Sequence, residues 1–386
     1  MRGLLVPEQE EDFTADPVEL FFDLAFVFAF SQLVGILVHD HDWEAIGKAT
    51  LILFLLWLPW AQFTWSANAV PGNQRVVRLG FLVATAASVP MAAAVTTAFD
   101  AGGALFAIPL SVIHLMALGV MAIGIDSESD VHTSLVRYAT PNIVAVVLVV
   151  VGGFLEDGAR VGCWIASSLV VIYATVRAGN GNWIIRPGHF AERHALIIIV
   201  ALGEVIVALG NAVAEPLGDG EGFDARAVVA LAATGVCAGL FWWAYFDRVQ
   251  PAFEHRAEQT DARERGRFAR DVYTYWHFAI VAGIILVAAA LEDAALHPSD
   301  ELPLSFRMML LGGVALFLGG IGGGVYRAFH VVAKERLIAL VVLVVVLALP
   351  LGLTGVVTVV VLDVVLVGAL VAEHLRIEVR PSRSAR

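Results

Sequence analysis

Residues 17–38 read PVELFFDLAFVFAFSQLVGILV, an apolar run in which the only ionisable side chains are Glu19 and Asp23. At about 1.5 Å per helical residue such a run reaches about 33 Å, enough to cross a hydrocarbon core of roughly 30 Å. Working outward, similar windows fall at 45–66, 74–99, 102–124, 133–154 and 159–179 in the first half of the chain. In the second half they fall at 189–213, 225–247, 269–291, 304–329, 334–349 and 352–375. Hydrophobic residues make up 59% of the 386 and charged residues 16%, against roughly a quarter charged in an ordinary soluble domain. The longest polar stretch, 247–270, is too short for a soluble domain. These windows predict an all-α integral membrane protein of about twelve transmembrane helices, with the lipid bilayer as its first partner.

The basic residues supply a test independent of hydropathy, because Lys and Arg collect in cytoplasmic loops. With twelve spans, one face holds both tails and the loops after spans 2, 4, 6, 8 and 10. That face carries Arg2, Arg75, Arg78, Arg137, Arg177, Arg186, Arg193, Arg327, Lys334 and Arg336, six arginines from Arg248 to Arg270 and four from Arg376 to Arg386. The opposite face keeps only Lys48, Arg160, Arg226 and Arg307 of the 24. A miscounted span would scramble this alternation after the error. The expectation is therefore a multi-pass protein of the cytoplasmic (inner) membrane with both termini cytoplasmic. The acidic tail of Glu8, Glu10, Glu11, Asp12 and Asp16 gives no positive signal, and acidic residues weigh little in the rule. The first apolar run passes a signal h-region without a small-residue cleavage site, so it is expected to remain as a span.

A net charge of −12 argues against nucleic acid as a partner. Cys163 and Cys237 sit in different apolar windows with no paired spacing, which predicts neither a disulfide framework nor a thiolate metal site. The expected segments are 1–16, a cytoplasmic tail; 17–179 and 180–375, two six-helix membrane halves; and 376–386, a basic tail. A parallel repeat of the halves is suggested by Trp60-Ala61-Gln62-Phe63-Thr64 against Trp243-Ala244-Tyr245-Phe246-Asp247. Phe81 with Met91-Ala92-Ala93-Ala94 against Phe278 with Ala288-Ala289-Ala290 adds a second match at one common offset.

Ionisable residues inside hydrocarbon are the informative ones, since each costs at least roughly 2.5–3.5 kcal/mol at mid-helix. Glu19 and Asp23 are four apart, on one helix face, and could share a proton or hold a cation, or simply pair with an arginine. The seventh window opens on His189-Phe190-Ala191-Glu192-Arg193-His194 and buries Glu204 eleven residues beyond Arg193, too far for Arg193 to neutralise it. His189 and Glu192 have a metal-ligand spacing but stand in a helix-start charge cluster, and no metal or cofactor is expected. Arg270, Tyr273, Thr274 and His277 share a helical stripe leading inward to a histidine that could relay protons or hydrogen-bond as a neutral ring. His114 and Asp363 are further intramembrane polar sites. Trp57, Trp60 and Trp65 with Trp242, Trp243 and Tyr245 read mainly as an interfacial belt. Gly319, Gly320, Gly323 and Gly324 offer close helix approach, and Pro59, Pro90, Pro109 and Pro141 could unwind their helices.

Several of these stretches resemble the bacterial low temperature requirement A (LtrA) family. The likeness rests on Val18-Glu19-Leu20-Phe21-Phe22-Asp23-Leu24-Ala25-Phe26-Val27 and on Ala191-Glu192-Arg193-His194 followed by Leu202-Gly203-Glu204. Trp243-Ala244-Tyr245-Phe246-Asp247 and Tyr273-Thr274-Tyr275-Trp276-His277 extend it, with Trp276 a departure where a small or aliphatic residue is expected. The resemblance implies a multi-pass cytoplasmic-membrane protein linked by name to growth in the cold, and it supplies neither substrate nor reaction.

The leading functional expectation is a proton- or cation-coupled secondary transporter of an unidentified small solute or ion. Its candidate ion- or substrate-binding residues are Glu19, Asp23, Glu192, Arg193, His194, Glu204 and His277. No GxxxxGK[ST] phosphate loop is present, which argues against nucleotide hydrolysis. The alternatives are an integral-membrane enzyme using His189, Glu192 and His277 near the headgroups, and a sensor or scaffold whose buried charges fix helix packing. Substrate and oligomeric state are not legible in the sequence.

Overall fold

In a computed structural model of the chain, residues 14–70, 74–179, 181–218, 225–349 and 351–378 are described, 211–218 in backbone only. Arg2, Glu8, Glu10, Glu11, Asp12, Arg380, Arg383 and Arg386 lie outside the described residues. Six helices fill the first half: α1 (Pro17–Asp40), α2 (Trp43–Ala69), α3 (Arg75–Ala93), α4 (Gly103–Gly124), α5 (Asp130–Phe154) and α6 (Asp157–Ala178). Eight follow: α7 (Pro187–Gly218), α8 (Ala225–Phe246), α9 (Val249–Glu258), α10 (Ala262–Phe268), α11 (His277–Leu296), α12 (Leu304–Phe329), α13 (Lys334–Ala348) and α14 (Gly355–Glu378). A 3₁₀ turn at Val95–Thr97 follows α3, and a π-helical stretch, Ala269–Trp276, joins α10 to α11 without a break. Among the described residues the only extended pairing is a single bridge, Glu301 to Thr354.

Among the described residues eleven helical segments are long and apolar enough to cross a membrane, α8 with α9 and α10 with α11 each counting as one segment. The remaining expected span is α13, apolar from Leu337 onward but only 15 residues long in all. At about 1.5 Å per residue it reaches about 22 Å, short of the hydrocarbon thickness. The spans present bare aliphatic side chains outward: Leu24 is 59% exposed, Leu79 62% and Leu169 60%. Such a surface is stable against lipid and not against water.

Local chemistry sets the helix ends. Asp16 caps α1, accepting from the Val18 N–H, while the Glu19 carboxylate accepts from the Asp16 N–H to complete a capping box, with Pro17 in the first turn. His41 takes the left-handed conformation that ends α1, and Asp42 caps α2 through the Ala45 N–H. The prolines behave differently from expectation. α2, α4 and α5 run straight through Pro59, Pro109 and Pro141, and only α3 stops soon after its proline, Pro90. Tertiary packing at those three positions outweighs the local cost of the missing N–H.

The helices gather into two compact units, one of residues 1–200 with 252–278, the other of 201–251 with 279–386. In the first, Phe22 of α1 packs on Phe26, Phe63 and Phe81 at ring-centre distances of 5.2, 4.7 and 5.7 Å. Since lipid is as apolar as phenylalanine, this contact stabilises through dispersion and shape, not through escape from water. At the far ends of α3 to α6, Arg160 donates to four backbone carbonyls, those of Gly152, Leu155, Ala98 and Asp100.

In the second unit α11 and α12 cross at Gly283 and Gly313. A methyl on Gly283 would stand 2.5 Å from the Gly313 carbonyl and 2.6 Å from the Phe317 nitrogen. The close approach is thus at Gly313, whereas Gly319, read from sequence as a contact glycine, has nothing within 4 Å of such a methyl. Gly283→Ala is expected to cost about 1–3 kcal/mol, because backbone cannot yield as a side chain can. Gly319→Ala should leave the thermal midpoint in detergent unchanged, and equal losses for the two would contradict this assignment.

Candidate functional site

The first turns of α1 and α7 each carry two ionisable residues at i, i+4 spacing: Glu19 and Asp23 on one, His189 and Arg193 on the other. The helices run parallel, so the pairs meet rung by rung. His189 Nε2 lies 3.1 Å from Glu19 Oε2, and the Arg193 guanidinium donates two hydrogen bonds of 2.8 Å to the two oxygens of Asp23. Both rungs join residues 170 apart in sequence. Arg193 Nε also stands 3.4 Å from Glu19 Oε2, tying the rungs together. A third donor reaches Asp23 from α2, where the Trp60 indole N–H bonds to Oδ1 at 2.8 Å. All five side chains are buried.

The two-point guanidinium–carboxylate contact is the strongest geometry available to these groups, and in a low-dielectric site removal of either partner strands the other. Glu19 serves two purposes at once, its Oε1 closing the α1 capping box and its Oε2 facing the second helix. Glu192, half-buried on the rim, accepts the Ala15 N–H at 2.8 Å and so anchors the chain entering α1. His189 and Glu192 are therefore directed to different partners on the first helix. No group of three His, Cys, Asp or Glu side chains among the described residues is arranged to hold a metal ion.

Beyond Asp23 the cluster continues into an aromatic cage. The His194 ring stands 5.2 Å from Trp60, 4.6 Å from Phe190, 5.1 Å from Tyr273 and 5.2 Å from His277. His194 Nδ1 lies 2.8 Å from the Phe190 carbonyl and His277 Nδ1 lies 2.9 Å from the Val272 carbonyl. A carbonyl only accepts, so each Nδ1 carries the proton and a neutral ring then keeps its lone pair on Nε2. The His194 Nε2 is buried and has no hydrogen-bond partner.

The π-helical stretch changes the predicted stripe. Bonding to the fifth residue back widens each turn, and Tyr273 and His277 both stand against the His194 ring. It also redirects polar groups at Thr274, whose carbonyl accepts from Trp57 Nε1 at 2.8 Å and whose hydroxyl accepts from Trp65 Nε1 at 3.1 Å. The three tryptophans read as an interfacial belt thus include three indole donors with defined acceptors. Glu204, though buried, belongs to the second unit, while the cluster of Asp23 and His277 is built from the first. In the second unit Asp363 is buried, and in the first His114 Nε2 lies 2.9 Å from the Asn142 Oδ1.

Asp16, just outside the first span, has its carboxyl held below its ordinary value of 3.8. Burial pushes it up, but the Arg78 hydrogen bond, the Val18 N–H and the Arg78 charge together outweigh that. A depressed carboxylate contributes stability above its unfolded value and loses it as pH falls through the folded one. Wild type should therefore lose its advantage over Asp16→Ala, about 1 kcal/mol at neutral pH for a lost cap, as pH drops below about 4. Hydrogen exchange in the first turn of α1 reads this; an advantage that persists at pH 2 would contradict it.

The fold and this ladder define a multi-pass helical membrane protein with a buried cluster of ionisable side chains. The family model for the bacterial low temperature requirement A protein (LtrA) matches residues 14–371, nearly the whole chain. The chain belongs to that family. It is also 32% identical over 320 residues to a protein of Rhizobium meliloti (strain 1021) named "Uncharacterized protein RA0937", covering 78% of this chain and 75% of that one. No solved structure matches the chain.

Proposed function

We propose that this chain is a proton- or cation-coupled secondary transporter whose coupling site is the set Glu19, Asp23, His189 and Arg193, with His194 and His277 as the adjoining relay. The observation that carries the reading is the charge count of the ladder. It holds two acids, one arginine that stays charged, and one histidine that can take up a proton. With both acids ionised and His189 neutral, the four side chains sum to one negative charge. One proton, or one monovalent cation, makes them neutral. A dry site penalises net charge steeply, so the ladder favours the loaded state, and the proton belongs to the set more than to any one residue. Asp16 with Arg78 and the Glu192 carboxylate flank the set on the rim, where solvent reaches them.

Loading and unloading such a set couples charge to helix packing, since α1 and α7 are held together by these contacts. Glu204, buried elsewhere, is a second candidate carboxylate in the same reading. The experiment is uptake into liposomes under an imposed pH gradient, assayed over a panel of small labelled solutes and with a trapped pH dye. The expected result is flux that collapses with the gradient and is lost in Asp23→Asn. Absence of any proton, ion or solute movement above empty liposomes would sink the proposal. The orientation, with both termini cytoplasmic in the inner membrane, is supported by the distribution of Lys and Arg. Reporter fusions after residue 378 should be active only for a cytoplasmic reporter.

A further inference from the structure

A cavity of about 40 Å³ opens in the first unit where α2 and α6 finish and α5 begins. On the same measure about 10–15 Å³ holds one water, so the space suits a solute of a few non-hydrogen atoms. Its walls are aromatic: Trp183 stands edge-on to Trp65 at 5.5 Å and to Tyr138 at 6.0 Å. Nearly every polar group around it is already engaged. The Trp65 N–H is held by the Thr274 hydroxyl, the Trp183 N–H by the Ala178 carbonyl, and the Thr175 hydroxyl by that of Tyr275. Arg270 is neutralised by two hydrogen bonds to Asp271.

Among the lining residues whose polar atoms are fully buried, Gln62 is the exception. It is 2% exposed, it lines the cavity, and neither its Nε2 nor its Oε1 has a hydrogen-bond partner. A buried primary amide without partners keeps the full desolvation penalty of both its groups, which marks a place where a ligand is complementary. The amide offers a donor and an acceptor side by side, matching a molecule that presents an acceptor and a donor in the same way.

We infer that this cavity is a binding site for a small uncharged amide or urea-like solute, held by a paired hydrogen bond to Gln62 between the rings of Trp65, Trp183 and Tyr138. The charge of the site decides against ions. Arg270 is matched by Asp271, so an anion finds no uncompensated cation. No carboxylate stands free in the wall to receive a cation. The inference does not depend on transport, since none of the lining residues belongs to the charge ladder.

The test uses the full chain in nanodiscs and fluoroacetamide as the probe, followed by the width of its ¹⁹F resonance. Wild-type protein should broaden the line beyond empty nanodiscs, saturably and in competition with acetamide. Gln62→Leu should weaken binding at least about tenfold, the factor that corresponds to one lost neutral hydrogen bond. Ala178→Met, which fills the cavity from α6, should abolish it and decides the matter if Gln62→Leu does not survive purification. Fluoroacetate, similar in size but anionic, should not compete. The proposal is overturned by no saturable broadening, by equal binding in Ala178→Met, or by competition from fluoroacetate, which would make Arg270 an anion site.

Discussion

Arg193→Met is expected to lower the stability of the protein by about 3–5 kcal/mol, the cost of leaving a buried ion pair half removed. The substitution strips Asp23 of both guanidinium bonds and leaves it with the Trp60 indole alone, while Glu19 loses the cation 3.4 Å away. Two carboxylates then face each other in a dry site with only His189 to offset them. Arg193→Lys is expected to recover little, because an ammonium cannot span both oxygens of Asp23. The companion variant is Arg193→Met with Asp23→Asn and Glu19→Gln. Having no stranded charge, it should regain much of the loss as read by denaturant unfolding in detergent. If the triple variant is no more stable than the single one, the penalty is steric and the electrostatic account fails. Stability and coupling separate in the same series, since Asp23→Asn alone should be milder in unfolding yet lose gradient-driven flux.

The second large effect is expected at Arg160, which stabilises without any acid. Arg160→Met removes the donors that serve four carbonyls, two at the end of α5 and two in the turn before α4. Helix ends leave such carbonyls without partners of their own, and each one stranded costs about 1–3 kcal/mol. Interfacial water recovers part of this, so a loss of about 4 kcal/mol is expected. Gly103 supplies the control, because a methyl there would stand 2.7 Å from both the Arg160 guanidinium carbon and the Gly153 carbonyl. Gly103→Val should reproduce the destabilisation with the arginine intact. A wild-type melting curve for either variant would show that the tie carries no stability.

Much of this architecture is legible residue by residue. The apolar windows and the charges interrupting them are local properties, and they anticipate the all-helical membrane fold and its spans. α13 is the one expected span that the structure draws short, fifteen residues where its neighbours have more than twenty, because its first turn begins only at Lys334 and its last ends at Ala348. The four-residue spacing of His189 and Arg193 repeats that of Glu19 and Asp23, a matched signal that could have paired the two helices. His189 was read instead as part of a helix-start cluster. Trp60 looked like an interfacial anchor because an indole has the same composition whether it faces headgroups or donates to a buried acid.

By itself the sequence determined the solvent, the helical fold and the identity of the buried ionisable groups, because insertion energetics are summed along one segment at a time. Only the tertiary structure decided which of those groups meet. Asp23 joins Trp60 on the next helix and Arg193 on a helix 170 residues away, and Glu204 falls in another unit. Tyr273 and His277 both stand against His194, an outcome of packing that a 3.6-residue period does not contain. The ladder of two acids, an arginine and a histidine is thus a product of helix order, since charges 170 residues apart can only find each other once five intervening helices have been placed.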